Sequence, residues 1–158
     1  MSAESDDRCI ASIETALHAL GRRLKQARLH DHLTRVAGVD IDQAGLAVLY
    51  ALHGEKAGLR VTEVAARLGI DAPAVTRKAQ QLERLQLVGR TADADDARAS
   101  RLLLSPEGRR VLKRFLVARH RWLTAMLSDW PESDRDEFAR LIGRFTSDIR
   151  RHLDEPNF

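Results

Sequence analysis

Apolar residues along this chain recur at intervals of three and four, the spacing that places side chains on one face of an α-helix. The N-terminal pattern runs from Ile10 to Ala27 and predicts one long helix that continues to about Val36, where Ala37-Gly38 ends it. A second long pattern, from Leu112 to Trp130, predicts a helix of about seven turns that Pro131 ends. A last helix is predicted after a capping motif that begins at Ser133. Long helices are therefore expected at both ends of the chain.

Shorter elements are predicted between these long helices. Asp42 is placed to cap one helix, and a second runs from Val61 to Gly69 with one buried face. Asp71 is placed to cap a third, with Pro73 in its first turn, where a missing amide hydrogen is no loss. The side chains predicted to face the core from this third helix are Val75, Ala79, Leu82 and Leu85. Two short helices joined at a glycine have the sequence shape of a helix-turn-helix.

A hairpin is predicted directly after the third short helix. Its strands are 87–90 and 100–104, and residues 91–99 between them are rich in Asp, Ala and Arg. Ser105 and Pro106 then open the next helix. The predicted fold is mainly α with a small β-hairpin wing, a winged helix-turn-helix at about residues 42–104 within one domain, 1–158.

Composition narrows the class of protein. A chain of 158 residues with 44% apolar and 31% charged residues is typical of one globular domain. Its single cysteine excludes an intrachain disulfide framework and any multi-cysteine metal site. No apolar run approaches the roughly 20 residues that cross a bilayer, and the N-terminus carries no hydrophobic signal core. We therefore expect a cytoplasmic protein with no membrane partner.

Charge points to a nucleic-acid partner only locally. The formal net charge of +3 is modest and identifies no partner by itself. Residues 72–92, however, carry Arg77, Lys78, Arg84 and Arg90 against Glu83 alone. The cations therefore concentrate on the third short helix and the strand after it.

Four segments carry a family resemblance. They read VTEVAARLG at 61–69, APAVTR at 72–77, DADDAR at 93–98 and LLLSPEG at 102–108. The chain resembles the multiple antibiotic resistance regulator (MarR) family in these segments and in its predicted layout, over about residues 8–153. It departs from the family's wing pattern at Ala94 and Ala97, which stand where Pro and Arg are usual. It also has Gln86 where relatives usually carry Gly, so either a left-handed Gln costs about 1 kcal/mol or the turn differs locally.

The resemblance implies a DNA-binding role for the third short helix and the wing. A recognition helix reads base edges in the major groove, so its exposed side chains become candidates for base or phosphate contacts. With the strands of the wing, these candidates are Ala74, Thr76, Arg77, Lys78, Gln80, Gln81, Arg84, Arg90 and Arg101. In the family a wing arginine enters the minor groove, a role that falls on Arg98, with Asp96 placed to orient it. The alternative for each charged residue is an ordinary solvated side chain.

A homodimer is expected, because two half-sites about one helical turn apart require two copies of the lobe. The dimerisation helices are expected at about 8–36 and 106–153. The interface residues predicted from their apolar stripes are Ile10, Ile13, Leu17, Phe145, Ile149 and Leu153. Packing within one chain is the alternative, and the spacing does not separate the two.

The resemblance also implies a regulatory ligand. In the family a small aromatic acid or phenol binds between the dimer helices and the DNA-binding lobes, and shifts the spacing of the recognition helices through unequal affinity. The pocket residues it points to are His18, Tyr50 and Trp122, each of which can equally serve in packing. The expected function is a sequence-specific transcriptional regulator, foremost a repressor on pseudo-palindromic promoter DNA.

Other functions fit the sequence less well. Cys9 lacks nearby tyrosines for a redox role, and His30 and His32 point apart on a helix, which disfavours a metal site. Neither a Gly-rich phosphate loop nor a Gly-x-Ser-x-Gly or His-Glu-x-x-His motif is present, so no enzyme activity and no cofactor are expected. The remaining alternative is a winged-helix module that binds protein without specific DNA binding.

Overall fold

The computed structural model describes residues 3–26, 28–93 and 99–154, which form seven helices and a sheet of three short strands. The contacts divide the chain into two compact units, Met1–Arg119 and His120–Phe158. The mainly helical architecture with a small antiparallel sheet confirms the predicted fold class. None of the helices described is long and apolar enough to cross a membrane.

The prediction of one continuous N-terminal helix is wrong, because the helix breaks at Arg28. The structure has α1 over Ala3–Gln26 and α2 over Leu29–Ala37. Arg28 adopts left-handed dihedrals, φ 43° and ψ 45°, which interrupt the helical hydrogen-bond ladder without a Gly or Pro to mark the place. The second helix ends as predicted at Gly38, where φ is 63°. The break lets α2 bury Leu33, whereas the apolar stripe of α1 stays exposed.

Three short helices form the first part of the lobe, and their predicted caps are confirmed. Their bounds are Gln43–Ala51 for α3, Val61–Leu68 for α4 and Ala72–Arg84 for α5. Asp42 caps α3 by accepting the Gly45 amide hydrogen over 2.7 Å. Asp71 caps α5 by accepting the Ala74 amide hydrogen over 2.6 Å. Gly69, with φ 63°, separates α4 from α5 as the sequence predicts.

The buried face of α5 matches the prediction except at its C-terminal end. Val75, Ala79 and Leu82 are buried, whereas Leu85, predicted to face the core, is 49% exposed. The helix ends before Leu85, and Gln86 adopts the left-handed conformation with φ 58°, one of the two alternatives that the sequence leaves open. The chain therefore turns, and Leu87 enters the core in place of Leu85.

The sheet contains the predicted hairpin and one strand that was not predicted. The strands are β1, Leu59–Arg60, β2, Val88–Ala92, and β3, Ser100–Leu104, in the antiparallel order β1-β3-β2. Strand β1 pairs Leu59 with Leu102, and two residues are too few to show an alternating pattern in the sequence. Gly58 lies so close to β3 that a Cβ there would sit 2.5 Å from the Leu102 carbonyl oxygen.

Two long helices complete the chain. Helix α6 spans Pro106–Met126, and Ser105 Oγ caps it by accepting the Gly108 amide hydrogen over 2.8 Å. It ends before Trp130, so it is shorter than predicted. Helix α7 spans Glu132–Asp154 and already contains Ser133, so the predicted cap at Ser133 is wrong. Amides at the start of α7 donate to the Pro131 carbonyl instead.

The core of the lobe joins its helices to strand β3 and the start of α6. The largest fully buried side chains are Leu49, Leu52, Leu82, Leu102, Leu112, Val48, Val64 and Val75. They pack against the buried face of α5, and the opposite face of the helix is exposed.

Candidate nucleic-acid interface

The outward face of α5 carries most of the predicted DNA contacts. Arg77, Gln80, Gln81 and Arg84 are exposed, whereas Ala74 and Thr76 are half-buried. The Thr76 hydroxyl donates to the Ala72 carbonyl over 3.0 Å, so its oxygen remains able to accept a hydrogen bond. Across the residues that the structure describes, Arg77 and Arg84 have no ion-pair partner. Their charges are available to a polyanion.

Lys78 differs from these two arginines because its ammonium is held within the lobe. Its Nζ lies 2.6 Å from Asp42 Oδ2 and 2.7 Å from Gln81 Oε1, and its side chain is 18% exposed. The hydrogen bond from Lys78 is the main cause that lowers the pKa of Asp42 below its usual 3.8, with the Gly45 amide adding to it. Burial acts in the opposite direction. Lys78 remains a predicted DNA contact, in competition with this ion pair.

Arg90 connects the recognition helix to the hairpin. Its Nε donates to Glu83 Oε1 over 2.6 Å, and its Nη1 donates to Ser100 Oγ over 3.0 Å. The guanidinium therefore joins α5, β2 and β3 at one point. A phosphate contact by Arg90 stays a prediction, and this geometry gives the residue a second, structural task.

A buried carboxylate at the base of the wing was missed from the sequence. The Asp93 side chain is fully buried and accepts from Arg60 Nε at 2.7 Å, Arg60 Nη2 at 2.9 Å and Arg101 Nε at 2.7 Å. Arg101 also donates to the Gly58 carbonyl over 3.2 Å. Arg101 therefore already stabilises the sheet through these contacts. Its predicted phosphate contact stays a prediction. The signal available in the sequence was Asp93 itself, the first residue of the DADDAR segment.

The tip of the wing lies outside the described residues. This concerns two predicted site residues, Asp96 and Arg98. The structure does place the two ends from which the tip departs, Ala92 and Ser100, as paired residues of β2 and β3. The minor-groove role of Arg98 therefore stays a prediction.

A cavity of about 1090 Å³ opens within the first unit. It is lined by residues of α2, α3 and α6, among them His30, Tyr50, Phe115 and Arg119. Of the three predicted ligand residues, Tyr50 lines this cavity, His18 is exposed on α1 and does not line it, and Trp122 belongs to the second unit.

Tyr50 and Phe115 form an aromatic wall of this cavity, and Arg119 lies beside it. The Tyr50 hydroxyl is buried and has no hydrogen-bond partner within the part of the chain that the structure describes. The Arg119 guanidinium carbon lies 5.3 Å from the centre of the Tyr50 ring, and the Phe115 ring meets that ring edge-on at 6.3 Å. Burial raises the pKa of Tyr50 above its ordinary 10.0, and the Arg119 charge partly offsets this rise.

Two other sequence hypotheses concerned metal and redox chemistry. His30 Nε2 lies 2.8 Å from the Ile41 carbonyl oxygen, a backbone contact. In residues 3–26, 28–93 and 99–154, no group of three or more His, Cys, Asp or Glu is arranged to hold a metal ion. Cys9 is exposed on α1 as a free thiol.

Each unit carries an exposed apolar stripe on its terminal helix. The stripe of α1 consists of Ile10, Ile13, Leu17, Leu20 and Leu24. The stripe of α7 consists of Phe138, Leu141, Ile142, Phe145, Ile149 and Leu153. All six predicted interface residues belong to these two stripes. Contiguous exposed apolar surface of this kind marks an interaction site.

The chain is similar to known regulators of transcription. Its residues 40–99 match the model of the MarR family. It is 28% identical over 143 residues to the HTH-type transcriptional repressor MdtR of Bacillus subtilis (strain 168), a match that covers 89% of this chain and 88% of that protein.

Two solved structures extend the comparison. A MarR family protein from Bacillus stearothermophilus has the same fold, with a TM-score of 0.80, 22% identity and coverage of 91% of this chain and 97% of that one. The PcaV transcriptional regulator from Streptomyces coelicolor, solved in complex with its natural ligand, has a TM-score of 0.59 and 32% identity over 81% of this chain and 89% of its own. The winged lobe, the long terminal helices and these matches together establish that the chain belongs to the MarR family.

Proposed function

We propose that this chain is a DNA-binding transcriptional regulator that represses by occupying pseudo-palindromic promoter DNA as a homodimer. The observation that carries the proposal is the outward face of α5, where Arg77 and Arg84 are exposed and have no ion-pair partner among the described residues. The opposite face of the helix is buried, so these cations stand on a rigid support. The DNA major groove admits a helix of this kind.

The homodimer is the second part of the proposal. The exposed stripes of α1 and α7 supply apolar surface that a second copy of the chain would cover. A twofold dimer presents two α5 helices to successive major grooves, which explains why the operator should be a pseudo-palindrome. The wings, with Arg98 at each tip, would then reach the adjacent minor grooves. Such a regulator works where the chromosome is, which in a bacterium is the cytoplasm.

The regulatory ligand is the third part. The cavity beside Tyr50 offers the Arg119 cation and the aromatic rings of Tyr50 and Phe115. A small aromatic acid or phenol fits these groups, because its ring packs on the two aromatic rings while its oxygen meets the Arg119 guanidinium. Binding changes DNA affinity only if the ligand binds the DNA-bound and DNA-free arrangements unequally.

The test is a selection of DNA sequences from a random duplex pool by the full chain and by three variants. Arg77→Ala should change the preferred bases, since a good base contact is worth about 1–3 kcal/mol of discrimination. Arg98→Ala should weaken binding while the preferred major-groove bases stay the same. Lys113→Ala removes an exposed cation on α6 and is the matched control.

The result that would overturn the proposal is a parent chain that enriches no sequence and binds duplexes without steep loss of affinity in salt. That result would favour the protein-binding module, because a DNA contact made through Lys and Arg weakens steeply with salt. If the parent binds DNA but Arg77→Ala leaves the preferred bases unchanged, Arg77 does not contact the bases.

A further inference from the structure

The Asp42 carboxylate performs two tasks at once, one with each oxygen. Its Oδ1 accepts the Gly45 amide hydrogen over 2.7 Å and caps α3. Its Oδ2 lies 2.6 Å from Lys78 Nζ, on the recognition helix α5. One side chain thus joins the first helix of the lobe to the helix proposed to read DNA.

The cap hydrogen bond orients this carboxylate, although the Asp42 side chain is 55% exposed. The backbone of Gly45 approaches so closely that a Cβ added there would sit 2.9 Å from Asp42 Oδ1 and 3.0 Å from Ile41 Cγ1, so a larger residue at 45 would disturb the cap. The preceding carbonyl, that of Ile41, is in turn held by the His30 ring over 2.8 Å. Because the cap fixes Asp42 in place, the ion pair requires ordering of the Lys78 side chain alone.

The Lys78 ammonium, on the other side of this ion pair, is held as well. An ammonium has three N–H donors, and two of those of Lys78 lie within hydrogen-bond distance of Asp42 Oδ2 and Gln81 Oε1. A DNA phosphate would compete with the Asp42 carboxylate for the same ammonium. A cation paired with a fixed carboxylate releases no counterion from DNA, whereas a free one does.

We propose that Asp42 is a positioning residue that holds Lys78 against α3 and withholds its charge from the DNA backbone. The inference rests on the proposed DNA-binding function and adds a restraint to it. Arg77 and Arg84 then supply the cationic contacts of α5, while Lys78 fixes the position of the helix relative to α3. From the sequence alone, Lys78 is instead a candidate DNA contact, because its pairing with Asp42 is not visible there.

The test is the salt dependence of binding to a mixed-sequence DNA duplex of about 30 base pairs, measured for the full chain. Asp42→Asn keeps a good cap but removes the charge that holds Lys78. It should steepen the slope of log affinity against log salt by about 0.9 per protomer, since one further cation reaches a phosphate. Adding Lys78→Met to Asp42→Asn should return the slope to that of the parent.

The control is Asp71→Asn, which removes the same charge from another helix cap of the lobe. Asp71 caps α5 and has no cation partner within the described residues. Adding Lys78→Met to Asp71→Asn should change the slope no more than adding it to the parent. Adding Lys78→Met to Asp42→Asn should change the slope clearly more. Equal effects of Lys78→Met in all three backgrounds would overturn the inference while leaving DNA binding intact. A parent with no salt-dependent binding would instead overturn the proposed function.

Discussion

Tyr50 has a buried hydroxyl, and its surroundings change the pKa of the phenol. It is the only tyrosine of the chain, so an ultraviolet titration of phenol reports on it alone. Burial favours the neutral form and raises the pKa of Tyr50 above 10.0, while the Arg119 cation favours the phenolate and limits the rise. The folded protein therefore loses stability as pH increases beyond 10, because its phenol holds the proton more tightly than the unfolded phenol does.

We expect the Tyr50 titration midpoint of the folded chain to lie above that of the urea-unfolded chain, which should be about 10. Arg119→Met should raise the folded midpoint further, since it removes the neighbouring cation and keeps most of the side-chain bulk. Arg114→Met, on the same helix, is the control. A folded midpoint at or below the unfolded one would show that the phenol is not buried as described.

Single residues were predictable from the sequence where their chemistry is local. Asp42, Asp71 and Ser105 were predicted as caps because each precedes a helical pattern, and each accepts the expected amide hydrogen. The surroundings of Tyr50 and Asp93 were not predictable, because their partners Arg119 and Arg60 are distant in sequence and arrive through tertiary packing.

At the scale of elements, the wing depends on a buried ion pair network. Asp93 follows β2, Arg60 belongs to β1 and Arg101 to β3, so one carboxylate holds all three strands at the base of the hairpin. Removing this carboxylate is costly because both guanidiniums lose a shared, fully buried anion, and the Arg101 side chain, 20% exposed, regains only part of its hydration.

We expect Asp93→Asn to lower the free energy of unfolding by about 3 kcal/mol, and to speed hydrogen exchange in the hairpin. Glu63→Gln is the matched control, because Glu63 lies 3.5 Å from Arg101 but is half exposed, and it should cost under about 1 kcal/mol. Urea unfolding with amide exchange measures both quantities. Equal losses for the two variants would contradict a special role of the buried carboxylate.

The elements were predicted well where periodicity is long or caps are marked. The helices α3, α4 and α5 and the hairpin follow from apolar spacing, from Asp caps and from Gly69. The break at Arg28 and the strand β1 did not, since neither a left-handed Arg nor a two-residue strand leaves a periodic signal. The ends of helices are also weakly marked in the sequence. For this reason α6 ends earlier than predicted and α7 already starts at Glu132.

At the scale of the whole molecule, the apolar stripes raise the question of assembly. Periodicity predicted both stripes, but it could not tell an intersubunit surface from an intrachain one, because both place the same residues on one helix face. Their exposure in the single chain, 43% for Leu17 and 38% for Phe145, supports the dimer that we propose.

We expect the full chain to sediment as a dimer at micromolar concentration, and Leu17→Asp to shift it toward monomer, because a charge in an apolar interface must be desolvated without a partner. Ile70→Asp is the control, since Ile70 is an exposed apolar residue between α4 and α5, outside both expected dimerisation helices. A dimer unaffected by Leu17→Asp, or a parent that is monomeric throughout, would place the interface elsewhere or remove it.

The proposed function requires that α5 and the wing bind specific DNA. The most direct measurement is an anisotropy titration of the full chain against the duplex recovered by selection and against a scrambled duplex, each at about 50 and 200 mM salt. We predict tighter binding to the selected duplex and an affinity that falls at least about 100-fold between the two salt concentrations. Equal affinity for both duplexes, with little change between the two salt concentrations, would contradict the proposed function.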